Sequence, residues 1–242
     1  MDNWIFCPKP NPDARLRLFC FPYAGAGAAL FSEWPSALSE DVEVCALQLP
    51  GREMRFRESP LTDWQAVIAS VVSASSAYLD KPFALFGYCV GSVLAFEMAR
   101  ALRREGLPQP FHLLVAARAA PTIPETEGIH KLSEAALIAR LAETNATPEA
   151  ILQDSTLLPL LLPVIRADFQ IGETYGYVAE PPLACPISAF RGAKDKLVTA
   201  ANITPWQAET TASFAVRTLP GDHFFINSAR PIFLQMIQRV LT

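Results

Sequence analysis

The sequence of 242 residues has no excess of basic side chains, since 20 lysines and arginines stand against 24 aspartates and glutamates. Proteins that bind nucleic acid usually carry a basic surface, so this class of partner is not expected. Charged residues are scarce as a whole, at 18% of the chain against 51% hydrophobic residues. The small clusters of positive charge, such as Arg52, Arg55 and Arg57, are predicted to be solvated. This composition predicts a sizeable buried core.

Long hydrophobic runs are also missing. The N-terminus has an acidic second residue and no apolar run of signal-peptide length. The longest apolar stretch, Leu157–Ile165, contains Pro159 and Pro163 and is much shorter than a bilayer span. We therefore expect no membrane contact. The five cysteines are odd in number, widely spaced and without a CxxC pair, which predicts neither a disulfide framework nor a metal site. This use of cysteine predicts a cytoplasmic location.

Short apolar runs alternate with longer helical patterns, which is typical of an α/β fold with a mostly parallel central sheet and helices on both faces. Strands are predicted at Leu16–Phe21, Val42–Leu47, Phe83–Phe86, Phe111–Ala116, Ile187–Phe190 and Phe214–Thr218. Helices are predicted at about Leu30–Leu38, Asp63–Leu79, Val90–Arg104, Pro205–Thr210 and Pro231–Val240. Most strands are continuous apolar segments, as expected when both faces of a sheet are covered. The whole chain, 1–242, is predicted to be a single domain.

One region, about 121–182, gives helical patterns but no convincing strand; it is called the insertion below. Ser133 can cap a helix on which Leu137 and Leu141 share one face. A long helical insertion between two sheet strands predicts a lid, with the Leu157–Ile165 face lining an apolar pocket. The alternative is an ordinary pair of crossover helices.

A cysteine flanked by glycines lies between a predicted strand and a predicted helix. The segment Gly87-Tyr88-Cys89-Val90-Gly91, called the elbow below, has the strand–turn–helix setting in which G-x-S-x-G forms a nucleophile elbow. A nucleophile in such a turn takes a strained conformation, so its neighbours must be small, and both flanking positions are glycine. Cys89 is therefore the candidate nucleophile, and the alternative is a buried structural cysteine beside a tight turn.

A thiol nucleophile needs a base, and the sequence has only three histidines. His223 is the best placed, because it lies in a predicted loop between the last strand and the last helix. Asp195 follows a strand and is predicted to orient the imidazole, which gives the order of the α/β-hydrolase triad: nucleophile, acid, histidine. Asp222 is the competing acid, but as the neighbour of His223 it is predicted to make a loop hydrogen bond. His112 and His130 are predicted to be non-catalytic.

The loop after the first long strand is rich in small residues and can approach a substrate closely. The backbone N–H groups of Val90 and Ala24 are therefore predicted to form an oxyanion hole. Tyr23, Tyr88 and Phe224 are predicted to contact the substrate. The other interpretation of the loop is a phosphate-binding loop, but neither a Walker lysine nor the G-x-G-x-x-G spacing is present.

The chain resembles the stand-alone type II thioesterases of polyketide and nonribosomal peptide synthesis, over nearly its whole length. The matching segments are Leu18-Phe-Cys-Phe-Pro-Tyr-Ala-Gly, Gln48-Leu-Pro-Gly-Arg-Glu, Phe83-Ala-Leu-Phe-Gly, Ala167-Asp-Phe, Trp206 and Pro220-Gly-Asp-His-Phe-Phe. The resemblance implies an α/β-hydrolase fold, the triad Cys89, Asp195 and His223, and hydrolysis of acyl groups from the phosphopantetheine arm of acyl or peptidyl carrier proteins. The protein is expected to be a monomer with no cofactor of its own.

At the elbow the family usually has Gly-His-Ser-Met-Gly, where this chain has Gly-Tyr-Cys-Val-Gly. A cysteine exchanges one thioester for another at nearly equal free energy, which suits transfer of an acyl or aminoacyl group between two carrier proteins. Carrier-to-carrier transfer through Cys89 is therefore one alternative to hydrolysis, favoured if Tyr88 keeps the site dry. A non-catalytic module that binds carrier proteins is the second alternative. The cysteine could also be an engineered replacement.

Overall fold

The computed structural model of the protein describes residues 4–144, 147 and 149–242. Its centre is a sheet with the strand order β1-β3-β2-β4-β5-β6-β7, in which β1 is antiparallel to β3 and all other neighbours are parallel. The strands are β1 Ile5–Phe6, β2 Leu16–Phe21, β3 Val42–Leu47, β4 Phe83–Tyr88, β5 His112–Ala116, β6 Ile187–Gly192 and β7 Phe214–Leu219. The predicted mostly parallel sheet is confirmed. The sequence prediction missed β1, because two residues are too few to show a pattern.

Eight α-helices follow or connect the strands in the described part of the chain. They are α1 Trp64–Ser75, α2 Val90–Arg104, α3 Glu134–Glu143, α4 Glu149–Leu152, α5 Leu158–Glu173, α6 Ala200–Ile203, α7 Phe225–Ser228 and α8 Arg230–Leu241. The prediction for α2 is confirmed residue by residue. The helix predicted at Leu30–Leu38 is wrong, since this segment contains only the 3-10 turns Ala28–Phe31 and Trp34–Ser36. Pro205–Thr210 likewise lies mostly in a 3-10 turn, Thr204–Glu209.

Apolar side chains from alternate positions of each strand fill a core on either side of the sheet. In β4, Phe83 and Leu85 join one core, and Ala84 and Phe86 join the other. The first core is covered by α1 and α2, and the second by α8. Helices on both faces explain why the strands are continuous apolar segments rather than alternating ones.

The insertion forms a 3-10 turn at Ile129–Lys131 followed by α3, α4 and α5, so its predicted helical character is confirmed. Ser133 caps α3 as predicted, because its hydroxyl oxygen accepts a hydrogen bond from the Ala136 N–H. A separate small apolar cluster holds these helices together, and its buried members are Leu137, Leu141, Leu158, Leu162 and Ile165. Residues 145, 146 and 148 of the insertion lie outside the described residues.

Two arginines predicted to be solvated are buried instead. Arg52 is 5% exposed and Arg55 is 7% exposed. The Arg55 guanidinium lies over the Trp4 ring at 4.3 Å and donates to the Gln48 carbonyl oxygen at 2.9 Å. Burial of charged side chains requires such partners, and these partners come from segments that the sequence does not show to be close. Among the described residues, no helix combines the length and the apolar character needed to cross a membrane.

Candidate active site

Cys89 lies between the end of β4 and the start of α2 in a strained backbone conformation, with φ 52° and ψ −120°. A Cβ atom added to Gly87 would lie 2.2 Å from the backbone oxygen of Gly91, and one added to Gly91 would lie 2.3 Å from that of Phe21. Only glycine fits at either position, as the sequence predicted. The turn therefore holds the thiol at the N-terminal end of α2, at the edge of a parallel sheet where ligands bind.

Cys89, His223 and Asp195 come together in the order that the triad requires. Asp195 lies in the turn after β6, and His223 lies after β7. The His223 ring nitrogen Nδ1 is 2.9 Å from Asp195 Oδ2, and the ring lies beside the Cys89 thiol. The other oxygen of Asp195, Oδ1, accepts hydrogen bonds from the N–H groups of Leu197 and Val198 at 2.9 and 3.0 Å. These two backbone N–H groups hold the Asp195 carboxylate in the position from which it orients the His223 ring.

The charges of the three groups support one another. Burial disfavours the charged imidazole, but hydrogen bonds with Asp195 and Cys89 and their negative charge outweigh it and raise the pKa of His223 to about 10. Burial also disfavours the Asp195 carboxylate, yet the His223 hydrogen bond and the two N–H donors hold its pKa below its usual range. His223 is therefore protonated near neutral pH, and its ring lies between the Asp195 carboxylate and the Cys89 sulfur.

The other titratable candidates take non-catalytic positions. His112 hydrogen-bonds with the Ser188 hydroxyl at 3.0 Å, and burial lowers its pKa to about 4. The His130 ring binds Glu173 within the insertion. Asp222 accepts a hydrogen bond from the Phe224 N–H at 2.9 Å, which is the predicted loop role.

A cavity of about 340 Å³ opens beside Cys89. The sheet side contributes Tyr23, Ala24, Cys89, Val90, His223 and Phe224, all of which were named from the sequence. The insertion contributes Ile123, Leu141, Phe169, Gly172 and Glu173, so it lies over the elbow rather than on the far side of the sheet. The Leu157–Ile165 face was predicted to line this cavity, and that prediction is wrong. Its buried leucines pack on α3, and the lining residues of α5 come from its second half.

Tyr88 does not reach the cavity, which corrects its predicted contact with substrate. Its ring is fully buried beneath the elbow, and its hydroxyl donates to the His223 carbonyl oxygen at 2.6 Å and accepts from the Ile226 N–H at 3.3 Å. Burial raises the pKa of Tyr88, so the phenol is neutral. Because it lies under the loop that carries His223, Tyr88 cannot keep water from a group bound to Cys89. Its position supports the loop instead.

Replacing Tyr88 by phenylalanine is expected to lower the free energy of unfolding by about 1–3 kcal/mol, because a buried carbonyl and a buried N–H lose their partner. Turnover is expected to fall less than about tenfold, since Asp195 still orients the His223 ring. Denaturant titration and steady-state kinetics measure the two effects. The matched control is Tyr177→Phe, which removes a single hydroxyl contact, to Glu209 at 3.2 Å, at a partly exposed site. Unchanged stability of the Tyr88 variant would contradict the supporting role.

Two residues of the site were not identified from the sequence. Asp168, on α5, lines the cavity and is 1% exposed, and it forms a buried ion pair with Arg52. Both lie in segments that matched the resembling family, Ala167-Asp-Phe and Pro50-Gly-Arg, so the motifs were a signal. Nothing in the sequence indicates that they pair, because they are 116 positions apart.

Cys89 is expected to be alkylated by iodoacetamide at neutral pH at least about tenfold faster than the other thiols. It is half-buried, lines the cavity and has His223 beside it. Burial raises the pKa of Cys20 and of Cys185, and a hydrogen bond with Cys7 together with burial raises that of Cys45. Cys7 is expected to react second, because the hydrogen bond from Cys45 lowers its pKa. Mass-spectrometric peptide mapping measures the order, and labelling of Cys7 before Cys89 would contradict it.

Comparisons with known proteins agree with this geometry. A family model described as a thioesterase domain matches residues 16–241. The chain is 40% identical to the gramicidin S biosynthesis protein GrsT of Aneurinibacillus migulanus, over 95% of this chain and 90% of that protein. Its structure resembles RedJ, a thioesterase from the prodiginine biosynthetic pathway in Streptomyces coelicolor, with a TM-score of 0.91 and 37% identity over 95% of this chain and 92% of that one. It also resembles the type II thioesterase BorB from the borrelidin biosynthetic cluster, with a TM-score of 0.91 and 36% identity over 99% and 98% of the two chains. The chain therefore belongs to the thioesterase family, with an α/β-hydrolase fold, and is a hydrolase that acts on thioesters.

Proposed function

We propose that the protein is a type II thioesterase that removes acyl or aminoacyl groups from the phosphopantetheine arms of polyketide or nonribosomal peptide carrier proteins, through an acyl-Cys89 intermediate. The observation that carries this proposal is the contact between Cys89 and a His223 ring fixed by Asp195, beside a cavity that the insertion covers. The names of the relatives, which place them in gramicidin S and borrelidin biosynthesis, support the pathway class.

In the acylation step, the Cys89 thiolate attacks the thioester carbonyl carbon. Negative charge develops on the carbonyl oxygen, and the N–H groups of Val90 and Ala24 would stabilise it at the cavity wall. When the tetrahedral intermediate collapses, the bond from carbon to the pantetheine sulfur breaks. His223 is protonated beforehand, so it donates its proton to that leaving sulfur.

In the hydrolysis step, the same histidine must work as a base. The Cys89 negative charge and hydrogen bond, which help to raise the pKa of His223, are lost once the sulfur is acylated. The pKa of His223 therefore falls in the intermediate, and the neutral ring takes a proton from an attacking water. Collapse of this second tetrahedral intermediate breaks the bond from carbon to the Cys89 sulfur and releases the free acid. The Cys89 thiolate and the protonated His223 are thereby restored.

The lining of the cavity combines apolar and charged side chains. Ile123, Leu141 and Phe169 provide apolar surface for an acyl chain, and two ion pairs border the cavity, Arg118 with Glu125 and Arg140 with Glu127. The cavity therefore offers both apolar and polar contacts to an acyl or aminoacyl group.

The decisive experiment loads a carrier protein with a radiolabelled acyl thioester and adds the enzyme, with an excess of unloaded acceptor carrier present. We expect the label to be released as free acid, with a transient acyl-Cys89 adduct in the intact-protein mass spectrum. Label on the acceptor carrier would instead identify a transferase. Label remaining on the first carrier would leave only a binding role.

A further inference from the structure

The loop that carries the proposed oxyanion donor Ala24 is a tight turn. The Tyr23 carbonyl oxygen accepts a hydrogen bond from the Ala26 N–H at 3.0 Å, and Gly25, the third residue of the turn, has φ +83°. A positive φ at this position is typical of a type II turn, whose central peptide is rotated by about 180° relative to a type I turn. The central peptide carries the Ala24 carbonyl and the Gly25 N–H, whereas the Ala24 N–H belongs to the preceding peptide. The direction of the Ala24 N–H therefore depends on how the turn as a whole is held.

A buried ion pair between Asp168 and Arg52 is hydrogen-bonded to this turn. Asp168 Oδ2 accepts hydrogen bonds from the Gly25 N–H at 2.7 Å and from Arg52 Nη1 at 2.6 Å, and Asp168 Oδ1 accepts from Arg52 Nη2 at 2.7 Å. The same Arg52 Nη1 donates to the Ala26 carbonyl oxygen at 2.8 Å. The pair therefore binds one donor and one acceptor of the turn at once.

Close packing adds to these hydrogen bonds. A Cβ atom added to Gly25 would lie 2.7 Å from Cγ1 of Ile165, which is one helical turn before Asp168 on α5. The turn is thus in direct contact with the helix of the insertion, both through backbone packing and through a charged side chain. The two partners of the pair come from different parts of the fold, since Asp168 is on α5 and Arg52 follows β3.

We propose that Asp168 and Arg52 are positioning residues that hold the turn Tyr23–Ala26 in its oxyanion-binding conformation, and that the seating of α5 on the sheet thereby completes the oxyanion hole. The inference rests on the proposed acyl-Cys89 chemistry. In this proposal the insertion covers the cavity and also positions the turn. Displacement of α5 would remove the acceptor of the Gly25 N–H and release the central peptide of the turn. Acylation then requires that α5 is packed against the turn.

The test compares two reactions of Cys89 in the intact protein. Single-turnover acylation by acetyl-pantetheine develops an oxyanion, whereas alkylation by iodoacetamide displaces iodide and develops none. Replacing Asp168 by alanine is expected to slow acylation about 100-fold, the cost of losing one oxyanion donor. Alkylation of Cys89 is expected to change less than about twofold, because His223 and Asp195 are untouched.

Two conservative variants separate positioning from folding. Asp168→Asn keeps an oxygen for the Gly25 N–H and is expected to restore acylation to within about tenfold of the wild type. Arg52→Lys keeps the charge but cannot bind both carboxylate oxygens, and it is expected to slow acylation about tenfold. The matched control is Glu97→Gln, which breaks another buried ion pair, with Arg100, away from the turn. This variant should lose stability but keep its acylation rate.

The outcomes distinguish a failure of the positioning role of Asp168 and Arg52 from a failure of the proposed function. Equal slowing of acylation and alkylation in the folded Asp168 and Arg52 variants would show that the pair acts on the thiol, and would overturn the inference. Wild-type acylation rates in all of these variants would overturn it too. If the wild-type protein itself forms no acyl-Cys89 adduct but is alkylated normally, the proposed function fails instead.

Discussion

Replacing Cys89 by alanine is expected to abolish the acyl-enzyme and to lower kcat about 10⁴-fold or more. In the wild type, the thiolate forms a covalent bond to the acyl group, which divides hydrolysis into two easier steps. Alanine has no atom that can attack, so the remaining rate would come from substrate binding and the oxyanion hole alone. The backbone of the elbow should persist, because Gly87 and Gly91 rather than the thiol provide its close packing.

Release of acid from an acyl-loaded carrier protein and intact-protein mass spectrometry measure this loss. The matched control is Cys7→Ala, since Cys7 is also a half-buried free cysteine but lies beside Cys45, away from the cavity. It should retain wild-type turnover and adduct formation. Normal turnover by the Cys89 variant would show that catalysis does not pass through this sulfur.

Replacing Asp195 by asparagine is expected to lower kcat/KM for acylation by about 10³–10⁴-fold. The N–H groups of Leu197 and Val198 both donate to Oδ1, so they keep the asparagine oxygen at that place. The asparagine NH₂ group then faces His223 Nδ1, which must become an acceptor. The ring proton moves to the nitrogen that faces Cys89, and the neutral ring can no longer accept the thiol proton.

The pH dependence of kcat/KM gives an independent test of the contact between Asp195 and His223. Asp195 helps to raise the pKa of His223 to about 10, so wild-type kcat/KM should fall on the alkaline side only near that pH. Loss of the carboxylate charge lowers the pKa of His223, and the alkaline limb should move to lower pH. The control is Asp222→Asn, because an asparagine oxygen can still accept from the Phe224 N–H. An unmoved alkaline limb in the Asp195 variant would contradict the assigned partner of His223.

The features that the sequence determined are local or depend on order along the chain. The elbow could be predicted because its requirements lie within five consecutive residues: a buried strand before it, a helix after it and glycine on both sides of Cys89. Asp195 and His223 could be predicted because parallel strands bring their C-terminal ends to one edge of the sheet. Strand order and loop position therefore determined which acid and which histidine would meet the thiol.

The features that only the tertiary structure decided depend on contacts between distant segments. Residue type alone suggested that Arg52 is solvated, and only its bidentate contact with Asp168 explains why its charge can be buried. Tyr88 is next to the nucleophile in sequence, yet successive side chains of a strand point to opposite faces, so it packs under the His223 loop. The insertion was recognisable as helical, but the packing of α5 against α3 decided which part lines the cavity, because it buries Leu158, Leu162 and Ile165 in the apolar cluster of the insertion. Local patterns fix which elements form, whereas the partner of a buried charge is fixed only when those elements pack.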